Sequence, residues 1–148
     1  PPERVVLDSR LRTPPAAQLL CQPGRTRIFC LQADADRQAA LAAAGASVEI
    51  LPAHGGRPDL AALLGRLAEL EMNEVLVEAG PGLNGALLAA GLVDELVVYM
   101  APHVLGSDGL GMFAFPPLAG MAERHPFSLA NVRRVGADLR LVFLKAES

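Results

Sequence analysis

The chain has 148 residues, 51% of them hydrophobic and 20% charged, a balance that allows a substantial buried core and excludes general disorder. Its longest apolar runs, such as Leu96 to Ala101, fall far short of a bilayer-spanning helix, and no basic stretch followed by an apolar run opens it, so a cytoplasmic protein with no membrane partner is expected. A net charge of −3, a single Tyr and no Trp argue against nucleic acid and leave a small molecule as the expected partner.

Val5-Val6-Leu7 predicts a first strand, ending at Asp8 and a polar, proline-containing loop through Pro15. Ala16 to Leu20 fits one helical turn before the Pro23-Gly24 break, and Ile28 to Leu31 a second, buried strand. Asp34 or Asp36 is placed to cap an alanine-rich helix that stops at Gly45, before a third strand from Val48 to Leu51. Past His54-Gly55-Gly56, Pro58 suits a first helical turn, and Leu60, Leu63, Leu64, Leu67 and Leu70 repeat at the spacing of one buried helix face.

Val75-Leu76-Val77 reads as a fourth strand; Leu83, Ala86, Leu87 and Ala90 form a helical stripe that ends at Gly91; Leu96 to Met100 reads as a fifth strand. Strands apolar on both faces belong to a sheet covered on both sides, and crossover helices imply mainly parallel pairing. A Gly/Pro-rich loop from Pro102 to Gly120 precedes two segments, Phe127 to Val135 and Leu139 to Leu144, that read as an antiparallel hairpin. The expected fold class is therefore α/β, with a mixed sheet that is parallel in the middle and closed at one edge by antiparallel strands. The start at Pro1-Pro2-Glu3-Arg4, directly before a strand and without Met, suggests a piece of a longer polypeptide.

Gly80, Gly82 and Gly85 spell G-x-G-x-x-G between a strand and a helix. Glycines let backbone approach a ligand closely, and a first helical turn presents unpaired N–H groups favourable to a phosphate or diphosphate. As a dinucleotide fingerprint the pattern is incomplete, because the next strand runs out at Ala101-Pro102-His103 without the acidic residue that holds a ribose. Two readings are open: a phosphate loop, or a tight turn with Gly85 chosen for close packing. Glu78, at the end of the fourth strand, is placed either to bind substrate hydroxyls or to fix the turn by accepting backbone hydrogen bonds. Asp8-Ser9-Arg10, with Arg12 nearby, offers a hydroxyl and two guanidiniums to the extra phosphate of NADP, against the alternative of a solvated turn. Cys21 and Cys30 have no metal-like spacing and are expected as structural thiols; His54, His103 and His125 stand beside Pro or Gly in loops without a metal-pair spacing. No metal is expected, and no residue is a clear proton donor.

Taken together, Arg4 to Pro14, Val77 to Leu88, and Gly91 to Leu96 with the run on to Leu105-Gly106 resemble the C-terminal reductase domain of the bacterial bifunctional riboflavin biosynthesis protein RibD. The resemblance runs essentially end to end and implies a three-layer, dihydrofolate-reductase-like fold. It implies residues 1–148 as a single reductase domain truncated at its N-terminus, with a zinc-dependent deaminase domain upstream in the full polypeptide, and a homodimer. The activity it implies is NADPH-dependent reduction of 5-amino-6-(5-phosphoribosylamino)uracil to the ribitylamino product. Mapped residue by residue, it implies that Ser9 contacts the cofactor, that Gly80, Pro81, Gly82, Leu83, Asn84, Gly85 and Ala86 cradle it, and that Glu78 binds the phosphoribosylaminopyrimidine substrate. Arg10 and Arg12 are not part of what it implies. Family members carry an opening strand and helix with further contacts before this point, so a non-catalytic fragment or assembly module is one rival, and a related reductase acting on another pyrimidine or pterin is the second.

Overall fold

Ile28, Phe29 and Cys30 are all fully buried, yet they face two different cores. They belong to β2 (Thr26–Cys30), which lies between β1 (Arg4–Leu7) and β3 (Ala46–Ile50) in a parallel sheet. Successive strand residues point to opposite faces. Ile28 and Cys30 accordingly pack with Leu11, Leu41 and Ala46 on one side, while Phe29 packs with Leu51, Leu63 and Leu67 on the other. Leu41 comes from α2 (Ala35–Ala43) and Leu63 and Leu67 from α3 (Leu60–Glu69), so helices cover both faces and give three layers. A shorter helix, α1 (Gln18–Cys21), joins β1 to β2.

These strands and helices make up the first of two compact units, Pro1–Val75; the second begins at Leu76. The structure, a computed structural model, describes residues 1–146. The helix starts follow from side-chain caps: the Asp34 carboxylate accepts from the Arg37 amide and that of Asp59 from the Ala62 amide, each satisfying a donor that the first turn leaves orphaned. Pro58 therefore stands just outside α3, not in its first turn. It belongs to a minimal hairpin, β4 (Ala53–His54) with β5 (Arg57–Pro58), that turns through Gly55 and Gly56. Across the sheet, Glu49 accepts from both Arg27 and Arg66, and these bonds outweigh the upward push of burial to hold its carboxyl below the usual range.

In the second unit, α4 (Pro81–Ala89) has Pro at its first position, where the missing N–H costs nothing, and is followed by Gly91 at φ 67°. The strand β6 (Glu95–Met100) pairs antiparallel with β8 (Asp138–Lys145), which pairs in turn with β7 (Phe127–Val135). The expected C-terminal hairpin is present: Val135 faces Asp138 across a two-residue turn whose first position, Gly136, has φ 62°. Only glycine adopts that conformation without strain.

One expected strand is corrected. Val75-Leu76-Val77 lies in no ladder, and all three residues are exposed, Leu76 by 79%. Three apolar residues in a row signal a tendency to be buried, but a strand also needs a hydrogen-bonded neighbour, and that non-local partner is not written in the run itself. The parallel and antiparallel strands consequently form separate ladders. The α/β class, the parallel sheet with helices on both faces and the C-terminal hairpin all stand as expected.

Candidate cofactor and substrate site

The glycine-rich segment builds the N-terminus of α4, with Gly80 as its N-cap. Its first turn carries few donors: Pro81 has no N–H, and the Asn84 amide is already bonded to the Gly80 carbonyl at 3.1 Å. The amides of Gly82 and Leu83 are left without a backbone partner among the described residues. Both lie at the positive end of the helix dipole. A Cβ at Gly80 or Gly82 would meet nothing within 4 Å, so the approach to these amides is open. The donor set fits a diphosphate group.

Gly85 has a different reason to be glycine. It is buried, and a Cβ there would lie 2.3 Å from the Ala114 carbonyl oxygen. The Ala114 amide donates to the Pro81 carbonyl at 2.9 Å, which runs the Met112–Ala114 stretch along the start of α4. Of the two readings of the three-glycine pattern, the structure thus gives open amides to its first half and close packing to Gly85. Asn84 is the residue whose local work the sequence did not reveal: its side-chain amide donates to the Ala79 carbonyl at 3.0 Å and braces the loop from inside the helix. Leu83 and Ala86 are half-buried in the same helix.

Glu78 is exposed and accepts no hydrogen bond among the described residues. The turn is held by Asn84 instead, which removes the role of turn-fixing acceptor and leaves the carboxylate available to a ligand.

In the first unit, Ser9 follows β1 at the C-terminal end of the parallel sheet, the side on which ligands bind in open α/β sheets. Its carbonyl accepts from the Leu31 amide at 3.2 Å, fixing the loop to the end of β2. The loop is closed by Asp8, whose carboxylate accepts from both the amide and the hydroxyl of Thr13 at 2.7 Å. Burial pushes the Asp8 carboxyl up, but these bonds, with further ones from the Arg12 and Arg10 amides, outweigh it and hold the group below the usual carboxylate range. Leu11, at the turn of this loop, is buried with φ 51°, a left-handed conformation a branched residue keeps only under constraint. It anchors the loop while Arg10 and Arg12 project outward.

Cys30 is a core residue; burial pushes its thiol up and the Asp8 carboxylate adds to the effect, a poor setting for a nucleophile. His125 packs edge-on against Phe115 with centroids 5.6 Å apart. No group of His, Cys, Asp and Glu suited to a metal occurs among the described residues.

Comparison with known proteins gives a consistent picture. Residues 1–141 match the family described as RibD C-terminal domain. The chain is 40% identical over 140 residues to the riboflavin biosynthesis protein RibD of Escherichia coli, covering 95% of this chain but 37% of that protein. It is 30% identical over 141 residues to a Buchnera aphidicola protein named 5-amino-6-(5-phosphoribosylamino)uracil reductase, covering 95% of this chain and 66% of that one. The chain thus spans less than two thirds of either relative. A solved structure of Acinetobacter baumannii RibD superposes with a TM-score of 0.84 at 31% identity, over 99% of this chain and 38% of that one. Its fold is the dihydrofolate-reductase-like one of RibD reductase domains, and the chain belongs to the RibD C-terminal domain family.

Proposed function

We propose that the chain is a single reductase domain that uses NADPH to reduce 5-amino-6-(5-phosphoribosylamino)uracil to its ribitylamino product. The observation that carries this reading is the pair of uncommitted amides on Gly82 and Leu83, at the open N-terminus of α4. Membership of the family and the name of the Buchnera relative support the choice of substrate.

When bound, the reduced nicotinamide supplies a hydride for C1 of the ring-opened ribose, and with a proton this yields the ribityl chain. The residues of the chain do the positioning. Gly82 and Leu83 hold the diphosphate through their N–H groups, and Asn84 keeps the loop in shape through Ala79. Glu78 accepts hydrogen bonds from sugar hydroxyls, and the Ser9 hydroxyl contacts the nucleotide. The full polypeptide is proposed to carry a zinc deaminase domain upstream and to work as a cytoplasmic homodimer; no helix among the described residues is long and apolar enough to cross a membrane.

The test is NADPH oxidation by the full polypeptide in the presence of the phosphoribosylaminopyrimidine, with the product identified by its gain of two hydrogens. Titration of NADPH is expected to shift the amide resonances of Gly82 and Leu83. Saturable binding that leaves both untouched would overturn the reading.

A further inference from the structure

We infer that Phe115 and His125 are positioning residues for the cofactor: their edge-on ring pair fastens the strap of chain after β6 over the first turn of α4 and so holds the Gly82 and Leu83 amides in place for a diphosphate. The inference rests on the glycine-loop reading proposed above and adds to it two residues that act from behind the loop. All of the groups involved belong to the second unit.

Residues 101–126 join β6 to β7, and among them only Phe113, Phe115 and His125 escape full exposure; each is half-buried. The rings form a row, with centroids 6.5 Å apart from Phe113 to Phe115 and 5.6 Å from Phe115 to His125, the latter pair nearly perpendicular at 84°. Edge-to-face pairs attract through the charge distribution of the rings, beyond the apolar area they bury. His125 supplies the fixed end. It stands just before β7, next to Pro126, whose carbonyl accepts from the Ala146 amide at 3.3 Å beyond the end of β8. It also borders a small hollow of about 90 Å³ together with Leu88 of α4, Val93 and Phe127, where the end of the helix meets the sheet.

The place where the strap lands gives the fastening its role. Among the described residues, the segment 101–118 makes two hydrogen bonds to other parts of the chain: the Ala114 amide donates to the Pro81 carbonyl at 2.9 Å, and the Met112 carbonyl accepts from the Asn84 side chain at 3.5 Å. Pro81 and Asn84 flank Gly82 and Leu83, so the two tethers bracket the pair of open amides. Asn84 carries the restraint on to the Ala79 carbonyl through its 3.0 Å bond. Gly85 gives the strap its seat, since a Cβ there would collide with the Ala114 backbone. The first turn of a helix lacks helical partners for its donors and frays readily, and a clamp from outside supplies the missing restraint. Such preorganisation strengthens binding without adding a contact to the ligand.

The experiment compares the full polypeptide with its Phe115→Ala, His125→Ala and His125→Phe variants, reading NADPH affinity by calorimetry, KM for the pyrimidine by steady-state kinetics, and hydrogen exchange over residues 112–115 by mass spectrometry. Phe115→Ala and His125→Ala are each expected to weaken NADPH by about threefold to tenfold, the worth of one aromatic pair, with the pyrimidine KM unchanged within about twofold. His125→Phe keeps a ring at the anchor and is expected to hold affinity within about twofold of the unaltered protein. Exchange over residues 112–115 should quicken in both alanine variants while β7 and β8 keep their protection, which separates a released strap from an unfolded protein. Should an alanine variant fail to fold, Phe115→Leu, which keeps apolar bulk without the ring, takes its place with the same expectation. Unchanged NADPH affinity in both ring-removing variants overturns the inference, as does a parallel rise in the pyrimidine KM, or a loss in His125→Phe equal to that in His125→Ala. Resonance shifts at Gly82 and Leu83 on addition of NADPH test the underlying reading separately. Shifts there with unaltered affinity in the variants defeat the strap alone; no shifts there, with exchange at residues 112–115 still quickened, defeat the glycine-loop reading alone.

Discussion

The backbone of Ala114 lies directly over the α-carbon of Gly85, leaving a Cβ only 2.3 Å from the carbonyl oxygen and 2.7 Å from its carbon. Backbone cannot rotate aside as a side chain can, so Gly85→Ala is expected to destabilise the protein by about 1–3 kcal/mol, the usual cost of overpacking. Denaturant unfolding measures it. Gly82→Ala meets no such contact and should leave stability intact or slightly raised, since alanine is the better helix former. Its methyl group instead crowds the approach to the Gly82 and Leu83 amides, and NADPH affinity is expected to fall. The pair of variants thus splits one glycine pattern into a packing residue and a binding residue.

Asn84→Ala removes the donor to the Ala79 carbonyl. A loss of about 1 kcal/mol in stability is expected, the net worth of one such bond. Asn84→Asp should be worse for cofactor affinity, because an acceptor then faces a carbonyl and a negative charge stands beside the proposed diphosphate position. Calorimetric comparison of NADPH binding by the two variants checks the order.

Glu78→Gln should leave the unfolding midpoint unchanged within about 0.5 kcal/mol, as expected for an exposed side chain without partners. Steady-state kinetics of the full polypeptide should show KM for the pyrimidine rising by about tenfold to a hundredfold if a charge-assisted hydrogen bond is lost. An unaltered KM removes Glu78 from the site.

Asp8 sets an acid limit on the first unit. Its folded pKa lies below the unfolded value of about 3.9, so the unfolded state binds more protons in the interval between the two. The stabilisation is therefore complete above that unfolded value and is lost as pH falls through the lower, folded one. Asp8→Asn should flatten the dependence of stability on pH below about 4 while lowering stability at neutral pH, which parallel thermal melts over that range will show.

Much of this arrangement is legible in the sequence. The continuous apolar run of Ile28-Phe29-Cys30 and the leucine stripe of α3 are readable because burial is a local demand on residue type. The same was true of the helix following Gly80. Val75-Leu76-Val77 misled because its composition states what the segment avoids without naming what it pairs with. The contact of Gly85 with Ala114 and the bond from Arg37 to Leu11 were invisible for a related reason: each joins residues about thirty positions apart through a backbone atom, and backbone atoms leave no mark in a sequence. Asn84 was noticed as part of a motif, but its inward bond required the helix to exist first.

The loop drawn shut by Asp8 and Thr13 has already surrendered its freedom during folding. A ligand arriving beside Ser9 finds the backbone of that loop already ordered, so less of its ordering cost falls due at encounter. Substitutions of the outward-facing residues of that loop should accordingly tune recognition through charge, whereas severing the Asp8–Thr13 tie would convert a rigid rim into one that each ligand must freeze afresh.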